Sequence, residues 1–267
     1  MASPHPLPTS PENPRTVRIA GIDIAVVSMA EAVDVMLGLG SRGRPELVVT
    51  PNVDHLVVME RDPEFAAAYS SAALRLADGA PIVFLSRLLG TPLPERVTGV
   101  DLTGELLRRG EQTGHSAFFF GGSPGALAGA LARIKAEYPR LVVAGAVSPA
   151  VDLDRPTADE EEALATMRAA APDLVFIFLG SPKGEKWFLR RRDDLPSSVF
   201  VSVGATVDFL AGDVRRAPAW VQSAGLEWLW RFAHEPRRLF RRYVIRDSRF
   251  AVIAARELLA RRGRSGA

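Results

Sequence analysis

From residue 47 to residue 210 the chain alternates between short, almost wholly apolar runs and longer stretches in which apolar residues return every three or four positions. The runs Leu47–Val49, Leu74–Ala77, Ala117–Phe120, Leu141–Ala146, Leu174–Leu179 and Val199–Val203 are expected strands. Periodic stretches predict helices from about Met29, from the loop after Val49 to about Ser71, from Pro81 towards Gly90, and over Pro124–Glu137, Ala158–Ala170, Pro182–Arg192 and Ala205–Leu210. Strands without a polar face must be buried on both sides, so the body is expected to be a Rossmann-like, doubly wound, mostly parallel sheet covered by helices. Upstream, Thr16–Val27 alternates around Gly21 and reads as a hairpin or two short strands. After Gly212 the pattern becomes wholly helical and rich in Arg and Trp; Phe240, Tyr243, Val244, Phe250, Ile253 and Leu258 interleave with arginines. This organisation predicts a disordered leader over 1–15, a catalytic body over 16–213 that folds on its own core, and a basic helical appendage over 214–267.

A parallel sheet gathers the carboxyl ends of its strands on one edge, and ligands bind there. The run Leu74–Ala77 halts at Asp78-Gly79, with Pro81 opening the next helix, so an acid stands at a strand-to-helix junction. It either caps that helix or faces a ligand. Thr50 and Asn52 follow the strand Leu47–Val49 and can bind a polar substrate or form an Asx turn. Gly121 and Gly122 follow another strand and precede a helix, where backbone can approach a phosphate or simply turn. The segment FIFLGSPKGEKW places Lys183, Glu185 and Lys186 in a first helical turn, where lysine opposes the helix dipole unless an anion is bound. Asp208 follows the last strand, and RVTGVDL adds Arg96 and Asp101, the latter a candidate cap along with Thr98.

Composition narrows the chemistry. Cysteine is absent, and the four histidines, His5, His55, His115 and His234, have no paired helical spacing, so a cysteine or histidine metal site is not expected; each histidine reads as a loop or surface residue. Neither a signal-peptide core nor a run of about 18 apolar residues is present. Charge is unevenly spread: Val214–Ala267 has 13 arginines, no lysine and 4 acids, a formal +9, whereas the remainder has 20 basic and 27 acidic residues, a formal −7. A basic tail on an acidic body implies an anionic partner: nucleic acid, acidic lipid or a diphosphate. A nucleotide-dependent oxidoreductase is disfavoured because FFFGGSPG lacks the G-x-G-x-x-G fingerprint, and Trp220, Trp228 and Trp230 read as packing residues rather than base-stacking ones.

The segments TPNVDHL, LADGAPIVFLSRLLGTPLPERVTGVDL, GGSPG, LGSPKGEKW, VGATVDFLAGDVRRAPAW and GLEWLWRFAHEPRRLFRRY resemble, in order and kind, the TagA/WecG/CpsF family, glycosyltransferase family 26, across about Val17 to Tyr243. That resemblance implies an inverting transferase needing no metal or other cofactor. It would move a sugar of ManNAc, ManNAcA or glucose type from a UDP-sugar to a polyprenyl-diphosphate-linked saccharide in cell-surface polysaccharide synthesis. The place implied is the cytoplasmic face of a bacterial membrane, with the anionic surface and not nucleic acid as partner, and with room for a homo-oligomer. By the same resemblance Asp78 is the general base, Thr50 and Asn52 line its pocket, and Arg237, Arg238, Arg241 and Arg242 reach phosphates. One departure is Gly184, between Lys183 and Glu185, where the family usually has glutamine; a pocket hydrogen bond is expected to be lost there, which bears on donor-sugar identity.

Overall fold

The computed structural model describes residues 14–214, 216–218, 220–221, 227–234, 240 and 247–265. The elements are β1 (Thr16–Ile19), β2 (Ile22–Ala25), α1 (Met29–Leu39), β3 (Glu46–Val49), α2 (Val53–Met59), α3 (Pro63–Ser71), β4 (Leu74–Arg75), α4 (Ala80–Leu88), α5 (Gly99–Thr113), β5 (Ser116–Gly121), α6 (Pro124–Glu137), β6 (Val142–Val147), α7 (Ala158–Ala170), β7 (Leu174–Phe178), α8 (Lys183–Arg191), β8 (Val199–Ser202), α9 (Thr206–Ala211), α10 (Glu227–His234) and α11 (Phe250–Ser265). Six strands form one sheet in the order β4-β3-β8-β7-β5-β6, and every neighbouring pair is parallel. The carboxyl ends of all six therefore share one edge, as the apolar runs require.

The two-faced burial is visible within single strands. Phe118 and Phe120 belong to one core cluster with Val49, Ile177, Phe200 and Trp187, while Phe119 points into the other with Val48, Phe176, Phe178 and Val201. The two edge strands depart from this: Arg75 of β4 is only half-buried, and Val142 and Val143 of β6 stay exposed. β1 and β2 form a separate antiparallel hairpin closed at Ala20-Gly21, both at positive φ, as a tight two-residue connection requires. β4 is shorter than its apolar run, but backbone pairing continues beyond it: Leu76 N–H bonds Val49 O and Asp78 N–H bonds Pro51 O, each at 2.9 Å. Those bonds hold the Asp78 loop beside the loop after β3. The helical stretch before Ser71 is two helices, divided where Asp62 caps α3 through Phe65 N.

The C-terminal segment is less separate than its composition suggests. Ile253 of α11 is buried within the core cluster that holds Val49 and Trp187, and Phe250, Ala254 and Leu258 pack against the same cluster. Arg249 and Arg256 reach Glu60 just beyond α2. Phe250, Ile253, Ala254 and Leu258 of α11 thus face the body, while Val252 and Leu259 stay exposed, and the body expected over 16–213 shares part of its core with α11. Ile253→Ala should therefore destabilise the whole chain by about 2–4 kcal/mol in chemical denaturation. A loss under roughly 0.5 kcal/mol, the size of a surface effect, would return α11 to the status of an independent appendage.

Candidate functional site

Asp78 does not cap the helix that follows it. The N-cap of α4 is Gly79, with no side-chain cap bond, and Asp78 instead turns across the edge to accept the Gly99 N–H on Oδ2 at 3.4 Å. Gly99 is the first residue of α5, so the carboxylate sits at the positive end of a helix dipole. α5 is placed by close packing: a Cβ on Gly99 would lie 3.4 Å from Val203 Cγ1, 3.5 Å from Thr206 Oγ1 and 3.6 Å from Thr50 Oγ1. The buried Thr50 therefore backs the amide that Asp78 uses.

The first turn of α5 also carries an ionic junction. Thr98 Oγ1 accepts the Asp101 N–H at 3.1 Å and donates to Asp101 Oδ2 at 2.6 Å. Arg216 grips the same carboxylate with two nitrogens, at 2.5 and 3.0 Å, and Glu227 of α10 lies 4.0 Å from Arg216 Nε and 3.3 Å from Arg96 Nη1. Burial would raise the Asp101 pKa, but hydrogen bonds from Arg216 and Thr98 and the charges of Arg216 and Arg96 outweigh it and hold the carboxyl below its ordinary range. Arg216 is raised by its bond to Asp101, and the charge of Asp78 adds to this. Arg96 and Asp101, expected as substrate ligands, are thus both found in ion pairs. Their partners Arg216 and Glu227 were not foreseen, because no spacing rule links positions as far apart in sequence as Asp101 and Arg216, separated by 115, or Arg96 and Glu227.

Asn52 caps α2, accepting the His55 N–H at 3.1 Å, which is the Asx-type turn its sequence allowed. It remains in the site, since a Cβ on Gly79 would lie 3.9 Å from Asn52 Cα. Behind it His55, expected as a surface histidine, is half-buried, with Nδ1 2.7 Å from the hydroxyl of the fully buried Tyr69. A histidine three residues after a capping asparagine was the available signal.

The glycines after β5 have a packing role. Both have positive φ, and a Cβ would lie 3.0 Å from Leu179 Cδ2 at Gly121 and 3.1 Å from Val207 Cγ1 at Gly122, so neither position has room for a side chain. Gly184 also differs from expectation. A Cβ there would lie 2.9 Å from Leu179 O and 3.1 Å from Ser202 Oγ, so position 184 faces inward on the ends of β7 and β8, and a longer side chain has no room in this chain. Lys186 needs no ligand anion, because Asp62 at 2.6 Å and Glu64 at 3.3 Å neutralise it. Lys183 has no ion-pair partner among the described residues, and half-buried Asp208 lies in the first turn of α9.

Glu185, in the first turn of α8, is a further acid at this edge. It is buried, its Oε2 has no hydrogen-bond partner among the described residues, and desolvation pushes its pKa from 4.5 to about 7 despite hydrogen bonds from its own backbone, Ser202 and Ser181. Arg237, Arg238, Arg241 and Arg242 lie outside the described residues. Among the described residues no three His, Asp or Glu side chains group to hold a metal ion, and no helix is long and apolar enough to cross a membrane.

With this geometry in hand, comparison with known proteins is specific. Residues 17–264 match the family model described as the glycosyl transferase WecG/TagA/CpsF family. A relative from Bacillus spizizenii (strain ATCC 23059 / NRRL B-14472 / W23) named N-acetylglucosaminyldiphosphoundecaprenol N-acetyl-beta-D-mannosaminyltransferase is 33% identical over 191 residues, 72% of each chain. A relative of the same name from Bacillus subtilis (strain 168) is 32% identical over 190 residues, 71% of each chain.

The state of Glu185 can be read from stability. Its folded pKa is raised, so between about pH 4.5 and about pH 7 the folded chain keeps a proton that the unfolded chain releases, and stability falls as pH rises through that window. Glu185→Gln cannot ionise. Its stability relative to the parent should improve by on the order of 3 kcal/mol from about pH 4.5 to about pH 8, measured by urea denaturation. Parallel pH profiles for the two proteins would place an ordinary, solvated carboxylate at 185.

Proposed function

The chain belongs to the WecG/TagA/CpsF family of glycosyl transferases, and from that premise we propose that it transfers an N-acetylmannosamine-type sugar from a UDP-sugar to a polyprenyl-diphosphate-linked N-acetylglucosamine. The relatives' names carry the sugar and acceptor classes, and the UDP leaving group comes from the family resemblance. The observation that carries the mechanism is the orientation of Asp78. Freed from capping α4, its carboxylate stands at the carboxyl edge of a parallel sheet, held by the first amide of α5.

An acceptor hydroxyl has a pKa far above neutrality, so its attack needs a base that takes the proton as the bond forms. In this reading the hydroxyl oxygen bonds to the anomeric carbon, its proton passes to Asp78, and the bond from that carbon to the diphosphate oxygen breaks on the opposite face. UDP leaves with the electron pair and the anomeric configuration inverts. The developing charge on UDP would be met by Lys183 and the arginines at 237, 238, 241 and 242. Thr50, Asn52 and Asp208 would shape the donor pocket, with Arg96 and Asp101 holding its wall through their ion pairs.

A surface for the lipid acceptor would lie along the helix that follows the base. α4 begins two residues after Asp78 and leaves Phe84 60% and Leu88 53% exposed, one turn apart and flanked by exposed Arg87. An apolar stripe with a cation suits the boundary of an anionic bilayer, which supports peripheral work at the inner face of a bacterial plasma membrane.

Asp78→Asn tests this directly. It should bind UDP as the parent does and lower transfer to a short polyprenyl-diphosphate acceptor by about two orders of magnitude or more, the scale of losing a general base. In the same assay EDTA should leave the parent rate intact. Near-parental turnover of the variant removes Asp78 from the mechanism, and a rate lost to EDTA and restored by magnesium or manganese replaces arginine with metal as the counter-charge.

A further inference from the structure

Tyr69, His55 and Asn52 form a chain of contacts beneath the proposed donor pocket. The Tyr69 hydroxyl lies 2.7 Å from His55 Nδ1, and His55 Nε2 lies 3.4 Å from Asn52 Nδ2. Donor and acceptor chemistry fixes the direction of these bonds. Asn52 Oδ1 is committed to the His55 backbone amide at 3.1 Å, which leaves Nδ2 facing the ring. An amide nitrogen only donates, so Nε2 accepts, the ring hydrogen resides on Nδ1, and the Tyr69 oxygen receives it.

The assembly is closely packed. Tyr69 and Phe65 are fully buried, and their rings meet edge-on at 4.8 Å; Phe65 also meets the His55 ring edge-on at 5.9 Å. Burial, followed by the charges of Glu185, Asp78 and Asp54, pushes the Tyr69 pKa well above its ordinary value, so the phenol stays neutral and behaves as a fixed dipole. An asparagine amide has two hydrogens, and only one can be held by the ring.

We propose that His55 and Tyr69 are positioning residues for transfer: together they lock the Asn52 carboxamide so that its second Nδ2 hydrogen is presented to the sugar nucleotide beside Asp78. This rests on the reading of Asn52 as a donor-pocket residue. His55 and Tyr69 act only through Asn52, and their loss is felt in donor binding rather than in the chemical step.

The test uses the full chain, with UDP-N-acetylmannosamine as donor and an N-acetylglucosaminyl-diphosphate bearing a short polyprenyl chain as acceptor. Tyr69→Phe keeps the ring contacts and loses one oxygen. It and His55→Ala should each raise the donor KM about five- to tenfold, the scale of one hydrogen bond, with kcat and acceptor KM within about twofold of the parent. His55→Gln, whose side-chain oxygen can accept from Asn52, should recover part of the loss seen in His55→Ala. In an Asn52→Ala background Tyr69→Phe should add nothing. Donor KM unchanged in both Tyr69→Phe and His55→Ala, or a Tyr69→Phe effect undiminished in the Asn52→Ala background, overturns the inference. If Asn52→Ala itself leaves donor KM unchanged, the donor-pocket reading of Asn52 falls and takes this inference with it. A raised donor KM in Asn52→Ala beside silent His55 and Tyr69 variants defeats the inference alone.

Discussion

The paired hydrogen bonds from Arg216 to Asp101 join the segment after α9 to the first turn of α5 at the place where the chemistry is proposed. Asp101 closes the first turn of α5 through Thr98, and the first amide of that turn is the one Asp78 accepts. A displacement of α5 therefore displaces the partner of the proposed base. Arg216 holds α5 from the C-terminal side, while Glu227 extends the junction to Arg96 in the loop before α5. A half-buried, two-point guanidinium–carboxylate contact with a further acid nearby is worth more than an exposed pair, because its geometry is fixed and its charges are poorly screened.

The same edge holds acids in contrasting states. Asp101 is kept below its ordinary pKa by two hydrogen-bond donors and nearby cations, whereas hydrogen bonds to Glu185 from its own backbone, Ser202 and Ser181 do not offset its burial, and it is pushed to about 7. Glu160 shows a third arrangement: it is equally buried, yet Trp187 Nε1 and Arg191 Nε both donate to its Oε1, at 3.0 and 2.7 Å. Burial alone thus does not assign a role. What separates Asp101 from Glu185 is how many donors and cations the neighbouring elements supply, and Glu185 is left near neutrality with one oxygen unpartnered among the described residues.

The sheet and its edge were legible because they rest on local rules. Runs such as Phe118–Phe120 leave no polar face, and a parallel sheet then puts Thr50, Asp78, Gly122 and Lys183 on one side. Asp78 was legible as a junction acid, but its aim was not, since Gly79 took the capping position and the accepting amide belongs to another helix. Contacts between distant segments were hidden. Arg216 and Asp101, Lys186 and Asp62, and Arg249 and Glu60 meet only through the fold, so charge composition could report a basic tail but not that its described part leans on the body. The inward face of Gly184 was hidden for the same reason: whether a helix position faces a pocket or the ends of two strands depends on the roll of α8, which two central strands decide.

The ion pair's hold on the proposed catalytic edge is best measured by a double-mutant cycle on transfer rate. The proteins are Arg216→Ala, Asp101→Ala and the combination, each checked for cooperative unfolding. If the two residues work as one latch on α5, each single change should lower kcat/KM by about tenfold or more, and the double variant should be no worse than the poorer single. Effects that multiply in the double variant, or single variants that transfer at the parental rate, would show that the edge holds its geometry without this contact.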